Sequence, residues 1–544
     1  MSHTIQYGMC DARSRATTAP VRRREFLVNL ARLAGGVCVS SLCTGSPLLA
    51  GARGRFMPSQ RQGCQDKQGA GFDTLESRAG YFPTVWPSEH TDLWRSHAVF
   101  DEGLPADVAH GDLLVTTANF EFPVWGYTRA DNEVFIIGGS PFLLEFFTKT
   151  IENGANSSPT ALDLQSELLR TARFVPYVAR VDTRTMSVGR FEMRLGHTLN
   201  YTGGLLMHRN GFVYAVAQSV LYKIDPRTMT AVESRQLPLV GTTPAQSFST
   251  TYNGMQVLAD GQLVLKGFPF FDNTISGRLL LIDPDDLRIN VEKSTLVSSA
   301  RLTLQQSCNG PTYLYTVNAT ESLRYQITDT DFIVDDAWTR NYLVSGNTVA
   351  SSPLLYGRIG QVAFADNTAP GATNPIHLFA QPVDVDDLPP APSLTPVPAF
   401  KNHVPGFNFF MVAGDPFSRQ MLVYYDPINR LLSAHRVHRD GRLQMLWERD
   451  GYAASASPAL VPDRDLLYID NWQDGHDHLA VLRLSTGAEL ASVPLQAKQP
   501  TIGTIFVGMN NDVFIVSSEA SGTSGLISRI RCPSGGNPDT QEDA

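Results

Sequence analysis

"YTGGLLMHRNGFVYAVAQSVLYKIDPRTMTAVESRQL", Tyr201 to Leu237, parses into four short strands, GGLLMHR, FVYAVAQ, VLYKIDP and TAVESRQ, joined by tight turns. Asn-Gly and Asp-Pro supply the turn chemistry, and the alternation of apolar and polar residues reads as half-buried β-structure. The same plan recurs from Tyr252 ("YNGMQVLADGQLVLKG…GRLLLIDPDDLRINVEKS") and from Ala456 ("ASPALVPDRDLLYIDNWQDGHDHLAVLRLSTGAELASVPL"). Each unit has an apolar first strand, a strand rich in Val, Tyr and Leu, a third strand ending in a turn, and a more polar fourth strand.

Marking the end of each third strand gives Asp182, Asp225, Asp283, Asp329, Asp384, Asp440, Arg483 and Arg529, at intervals of 43, 58, 46, 55, 56, 43 and 46 residues. That is the blade spacing of a β-propeller. The expected fold is therefore all-β: one propeller of eight four-stranded blades. Seven is the alternative count, because the fourth and fifth units are poorly formed. The last unit supplies only three strands before the chain ends, and an open ring would leave strand edges unpaired. Asp112–Thr117 ("DLLVTT") is the spare strand expected to pair near Gly525–Arg531 and close the ring. A stack of sandwich domains is the rival architecture, and it gives no reason for complementary remnants at the two ends.

"WPSEHTDLWRSHAVFDEGLP", Trp86 to Pro105, resembles the W-P-x-x-x-x-D-x-x-R entry segment of quinoprotein-like eight-bladed propellers. "IDPRT", "STGAEL" and "DGRLQMLW" are similar to degenerate forms of the pyrroloquinoline-quinone repeat. The resemblance spans residues 86–532 and implies the eight-bladed fold. Its members include quinone-dependent dehydrogenases and noncatalytic envelope scaffolds, so it leaves the function open. Pyrroloquinoline quinone and calcium are the cofactors it suggests, and no specific motif here supports either. The chain lacks the vicinal Cys-Cys of such dehydrogenases, a haem-attaching C-x-x-C-H and a G-x-S-x-G elbow.

Near the N-terminus, Arg23-Arg24-Glu25-Phe26-Leu27 resembles the core of a bacterial twin-arginine export signal. The run after it is broken by Arg32, which disfavours a membrane span, and Ala50-Gly51-Ala52 offers a cleavage pattern. The expected organisation is a signal peptide at 1–52 and a flexible linker at 53–85. The propeller follows at 86–532, with a helical insertion at about 140–172, and then a tail at 533–544. Export implies the twin-arginine translocase as a transient partner and a periplasmic or secreted location. The first 52 residues hold six of the 44 basic and two of the 53 acidic residues, leaving 38 basic against 51 acidic in the remainder. A body that acidic is a poor partner for nucleic acid or anionic lipid. Of its three cysteines, Cys64 and Cys532 are candidates for a disulfide tying the two ends, with unpaired thiols as the alternative.

Second-to-third-strand loops of a propeller share one face, so Gly139–Ala172, Gly267–Ser276, Asp366–Pro375 and Asp470–His478 are expected around one channel mouth. The candidate ligand-binding residues there are Tyr201, Asn253 and Lys266 on one side. Asp366, Asn367, Asp470, Asn471 and His476 are the others. Hydroxyls, amides and carboxylates at strand ends suit a ligand funnel. They equally suit the local satisfaction of backbone groups. His476 and His478 share a strand face, so they could hold a metal with a third ligand such as His403 or His197. The expected function is recognition of a small molecule or envelope polymer at this face. A quinoprotein-like oxidoreductase or metal-dependent lactonase is the alternative, and a noncatalytic assembly scaffold the third reading.

Overall fold

The computed structural model describes residues 77–140, 174–194, 198–269, 276–296, 298, 300–306, 310–368, 372–388, 393–408, 412–501, 503–518 and 525–533, all within the unit running from Gln65 to Ala544. The export signal, the insertion of blade 1, Cys64, Cys308 and His197 lie outside the described residues. Eight antiparallel sheets are present. Each begins with a buried inner strand and ends with a less buried outer one. In blade 2, for example, Thr202–Met207 is buried throughout and Thr230–Gln236 exposed throughout.

The aspartate marks are periodic for a local reason. Asp182, Asp225, Asp283, Asp384 and Asp440 each accept, through Oδ1, the N–H two residues on, at 2.8–3.1 Å. This Asx geometry closes the third turn of the blade. Blades 4 and 5 read poorly because little of them is strand. Their inner strands are Thr303–Gln305 and Leu354–Tyr356, and their outer strands Phe332–Val334 and Val397–Pro398. Tyrosines tie neighbouring blades. Tyr214 Oη donates to Pro284 O at 2.7 Å and Tyr356 Oη to Met421 O at 2.7 Å, while Tyr127 Oη accepts Leu205 N–H at 3.1 Å.

The ring closes as expected, by a strand slightly longer than foreseen. Leu114–Phe120 pairs with Gly525–Arg531, running from Leu114↔Arg531 to Phe120↔Gly525, as the outermost strand of blade 8. At this seam blades 8 and 1 approach closely. A Cβ at Gly126 would fall 1.9 Å from the Phe506 ring, so only glycine fits.

A second closing device was not foreseen. The inner strand of each blade turns an unpaired edge towards the axis, and residues 86–99 satisfy those edges in blade order. Trp86 O accepts from Thr128 N (blade 1), Pro87 O from Met207 N (blade 2) and Leu93 O from Leu304 N (blade 4). Trp94 O accepts from Leu355 N, Ser96 O from Gly414 N and His97 O from Leu460 N, in blades 5, 6 and 7. The segment is thus a collar that visits most of the ring before the chain becomes the outer strand of blade 8. Residues 77–85, expected as part of a flexible linker, are packed as its approach. Phe82 N donates to Met207 O, and Tyr81 Oη donates to Gln256 Oε1.

Candidate functional site

To step between blades the collar adopts left-handed backbone at non-glycine residues: Thr91 (φ 66°), Arg95 (φ 63°), His97 (φ 60°) and Asp101 (φ 66°). Each such residue costs about 1–3 kcal/mol and persists only where surrounding contacts impose it. Here the blades impose it, and the reward is a dense set of polar side chains at the axis.

Glu89 is the centre of that set. Its carboxylate pairs with Arg301 through Nε and with Arg95 at 3.3 Å, and it lies 3.7 Å from His90 Nε2. Glu89, His90 and Arg95 are almost wholly buried, and the Arg301 side chain is 12% exposed. Arg301 comes from the connection between blades 3 and 4. Its guanidinium lies over the Trp125 ring at 5.0 Å, and its backbone N–H donates to Ser352 Oγ at 2.7 Å. Its two terminal nitrogens have no hydrogen-bond acceptor among the described residues. Burial opposes the Arg301 charge, but the Glu89 carboxylate, assisted by Tyr201 and Tyr127, more than offsets this and raises its pKa.

His90 and His97 are in direct imidazole contact, Nδ1 to Nε2, and His97 Nδ1 lies 2.9 Å from Pro458 O. Both rings are held neutral. Burial, then Arg95, then the neighbouring cations push His97 down to about 3, and burial with Arg95, His97 and Arg301 holds His90 well below the usual histidine range.

Three of the expected ligand residues lie beside this cluster. Half-buried Tyr201 is close enough to bias the Arg301 charge. Lys266 is buried and cross-strand to Asn253, and its Nζ meets Ser298 Oγ at 3.3 Å. Burial, then Arg301 and Arg95, press the Lys266 amine well below the ordinary lysine range. The other expected residues lie in blades 5 and 7 with their own partners. Asp366 Oδ1 accepts His377 N–H at 2.7 Å, and Asn367 Oδ1 accepts Thr348 N–H at 3.0 Å. Asp470 accepts Ser455 N–H, Ser455 Oγ–H and Ala456 N–H at 2.8–3.0 Å, and Asn471 Oδ1 accepts Ala453 N–H at 3.0 Å. The repeated Asp-Asn is thus a strand-entry fastener in both blades.

The expected loop at Asp470–His478 is instead a tight hairpin. Leu466–Gln473 and His476–Arg483 pair as far as Gln473↔His476, with Asp474 (φ 54°) and Gly475 (φ 77°) as the turn. Asp-Gly favours this two-residue turn and extends the strands through residues that looked like loop. His476 is exposed at the strand start and His478 is half-buried. Among the described residues no group of three or more His, Cys, Asp or Glu could hold a metal. His403 lies exposed in the connection between blades 5 and 6, and Cys532 sits half-buried just past the last strand. Sequence reasoning missed Glu89, His90, Arg95, His97 and Arg301. A cue was present: five ionisable residues lie between Glu89 and His97, flanked by Trp86.

No protein-family model matches the chain, and no curated protein matches it. Among solved structures it is similar to a quinohemoprotein alcohol dehydrogenase from Pseudomonas putida HK5, at 11% identity over 85% of this chain and 82% of that one, with a TM-score of 0.52. A quinohemoprotein alcohol dehydrogenase from Comamonas testosteroni gives 12% identity over 83% and 81%, with a TM-score of 0.47. The periplasmic gluconolactonase of Pseudomonas aeruginosa gives 13% identity over 60% and 93%, with a TM-score of 0.34. At such identity the first likeness speaks to the fold alone, and the chain is an eight-bladed propeller of quinoprotein-like architecture.

Proposed function

We propose that this protein is an exported propeller that recognises a small anionic molecule at the axis, on the floor made by Arg301, Arg95 and Glu89. One observation carries the reading. Arg301 is held in ion pairing with Glu89, which also pairs with Arg95, yet its terminal nitrogens stay uncommitted among the described residues. A guanidinium with a free fork suits a planar carboxylate, and the low-dielectric surroundings strengthen that pairing. The test is calorimetry of the mature chain against small mono- and dicarboxylates. Binding should occur in the wild type and fall at least tenfold in Arg301→Gln, whereas Arg184→Gln at an exposed turn should bind normally. Equal affinity in the wild type and Arg301→Gln would sink the reading. Export is tested separately. Replacing Arg23 and Arg24 with Lys should hold the protein in the cytoplasm, because the receptor reads guanidinium pairs and not charge alone.

A quinoprotein-like oxidoreductase is the second reading, since a quinone bearing carboxylates is itself a polyanion suited to this floor. Mass spectrometry of protein purified from its native host separates the two. Calcium-centred lactonase chemistry finds less support, because Asn253, Asp366 and Asp470 sit in blades 3, 5 and 7, and both aspartates spend their oxygens on nearby partners.

A further inference from the structure

The imidazole pair fixes its own tautomers. Pro458 O is an acceptor, so His97 Nδ1 carries a proton and donates to it at 2.9 Å. His97 Nε2 is then an acceptor, and His90 Nδ1 must carry the proton that lies between the rings. His90 Nε2 is left as a bare lone pair. It is buried and has no hydrogen-bond partner among the described residues. Glu89 Oε2 lies 3.7 Å from it, another acceptor, too far and of the wrong kind to satisfy it. Two acceptors facing each other across a buried gap call for a donor between them, since a buried unsatisfied group costs about 1–3 kcal/mol. Protonating His90 would supply one, but burial with Arg95, His97 and Arg301 holds the ring neutral.

We infer that the bound anion carries a hydroxyl beside its carboxylate, the carboxylate meeting Arg301 and the hydroxyl donating to His90 Nε2. The ligand class is then a small hydroxy acid. This rests on the anion reading above and deepens it. Glu89 holds the two halves together, with Oε1 towards Arg301 and Oε2 towards His90 and Arg95. The role is recognition, and no bond is made or broken.

The experiment compares acid pairs differing only in the hydroxyl, glycolate against acetate and lactate against propionate, on the mature chain. The hydroxy acid should bind about tenfold tighter in the wild type, the worth of one well-placed hydrogen bond. In His90→Phe that advantage should vanish while Arg301-dependent acetate binding persists. Because His90→Phe could misfold, the wild type labelled with ¹⁵N-histidine gives a second readout. His90 Nε2 should resonate as an unprotonated nitrogen in the free protein and shift upfield with lactate but not with propionate. Acids that bind through Arg301 with no hydroxyl preference would overturn this inference alone and assign the gap to water. A His90 Nε2–H signal in the free protein would overturn it as well. Failure of every carboxylate to bind would overturn this inference together with the anion reading.

Discussion

The axis and the junction of blades 7 and 8 both bury titratable groups, and they meet the cost in opposite ways. At the axis, imidazoles are kept neutral by burial and by arginines. At the junction, two carboxyls are forced together. Asp470 is fastened by Ser455 and Ala456, while Asp477 accepts His478 N–H and Thr501 N–H, each at 3.0 Å. Burial, then the Asp470 charge, push Asp477 well above the carboxylate range. The two regions also differ in what they leave unspent. Every junction oxygen faces a donor from a strand start nearby. The axis brings groups from the collar and from the approach to blade 4 together, and leaves Arg301 nitrogens and His90 Nε2 uncommitted among the described residues. Leftover valence, more than polarity, separates a candidate site from a fastener.

The largest break in this comparison comes from removing the collar. A chain beginning at Phe122 loses both the closing strand and the six carbonyls that satisfy the inner edges. It should show no cooperative urea transition and should aggregate. Val115→Pro with Thr116→Pro damages only the closing strand. It should cost about 3 kcal/mol while leaving a folded monomer. Equal behaviour of the two chains would mean the collar adds nothing to closure.

Glu89→Gln is next in size. It strands two buried arginines without their carboxylate and should cost about 3–5 kcal/mol by chemical denaturation. Adding Arg301→Gln should recover part of that loss, because one uncompensated charge is then gone. A loss below 1 kcal/mol, or no recovery, would place Glu89 among ordinary surface acids.

Opposite protonation predicts opposite pH limbs. The folded-state pKa of His97 lies near 3, below its unfolded value, so its contribution is complete above about pH 6.5 and fades as pH falls towards 3. Asp426 runs the other way. Burial lifts it to about 6, against donors Ile428 N, Asn429 N and Asn429 Nδ2 at 2.6–3.2 Å. Its contribution is complete below about pH 4 and is lost as pH rises through 6. Asp426→Asn should therefore gain about 2 kcal/mol relative to the wild type between pH 4 and pH 8, since one unit is worth about 1.4 kcal/mol. A parallel offset at all pH values would show that Asp426 is not the titrating group.

How far each region could be read from sequence follows from where its partners lie. The blades were legible because each is a local object. Asp225 closes its turn with Arg227 N–H, two residues away, and the same contact repeats around the ring. Blades 4 and 5 blurred where outer strands shrink to Phe332–Val334 and Val397–Pro398, too short to show alternation. The closing strand was legible because a three-stranded remnant demands a fourth. The collar was not, because its partners are main-chain N–H groups in six blades, and neither its residue types nor its spacing encodes them. Arg301 was invisible for the same reason: nothing near it in sequence announces Glu89.

The smallest effect tests the fasteners themselves. Asn367 and Asn471 occupy equivalent places in blades 5 and 7, each accepting one strand-entry N–H, from Thr348 and Ala453 respectively. Asn367 does slightly more, since its amide also donates to Asn374 O and Pro375 O at 3.2 Å. Truncation to Ala removes the side-chain acceptor of a strand-entry N–H in both blades, at about 1–2 kcal/mol each. Asn367→Ala should cost more, because it also takes the amide donor away from Asn374 O and Pro375 O. The two sites lie in different blades and share no partner, so the double variant should show simple additivity. Neither substitution should change carboxylate affinity, because their polar atoms are spent on the backbone. If Asn471→Ala weakened that binding as Arg301→Gln does, the division between fastener and site would fall, and blade 7 would belong to the ligand.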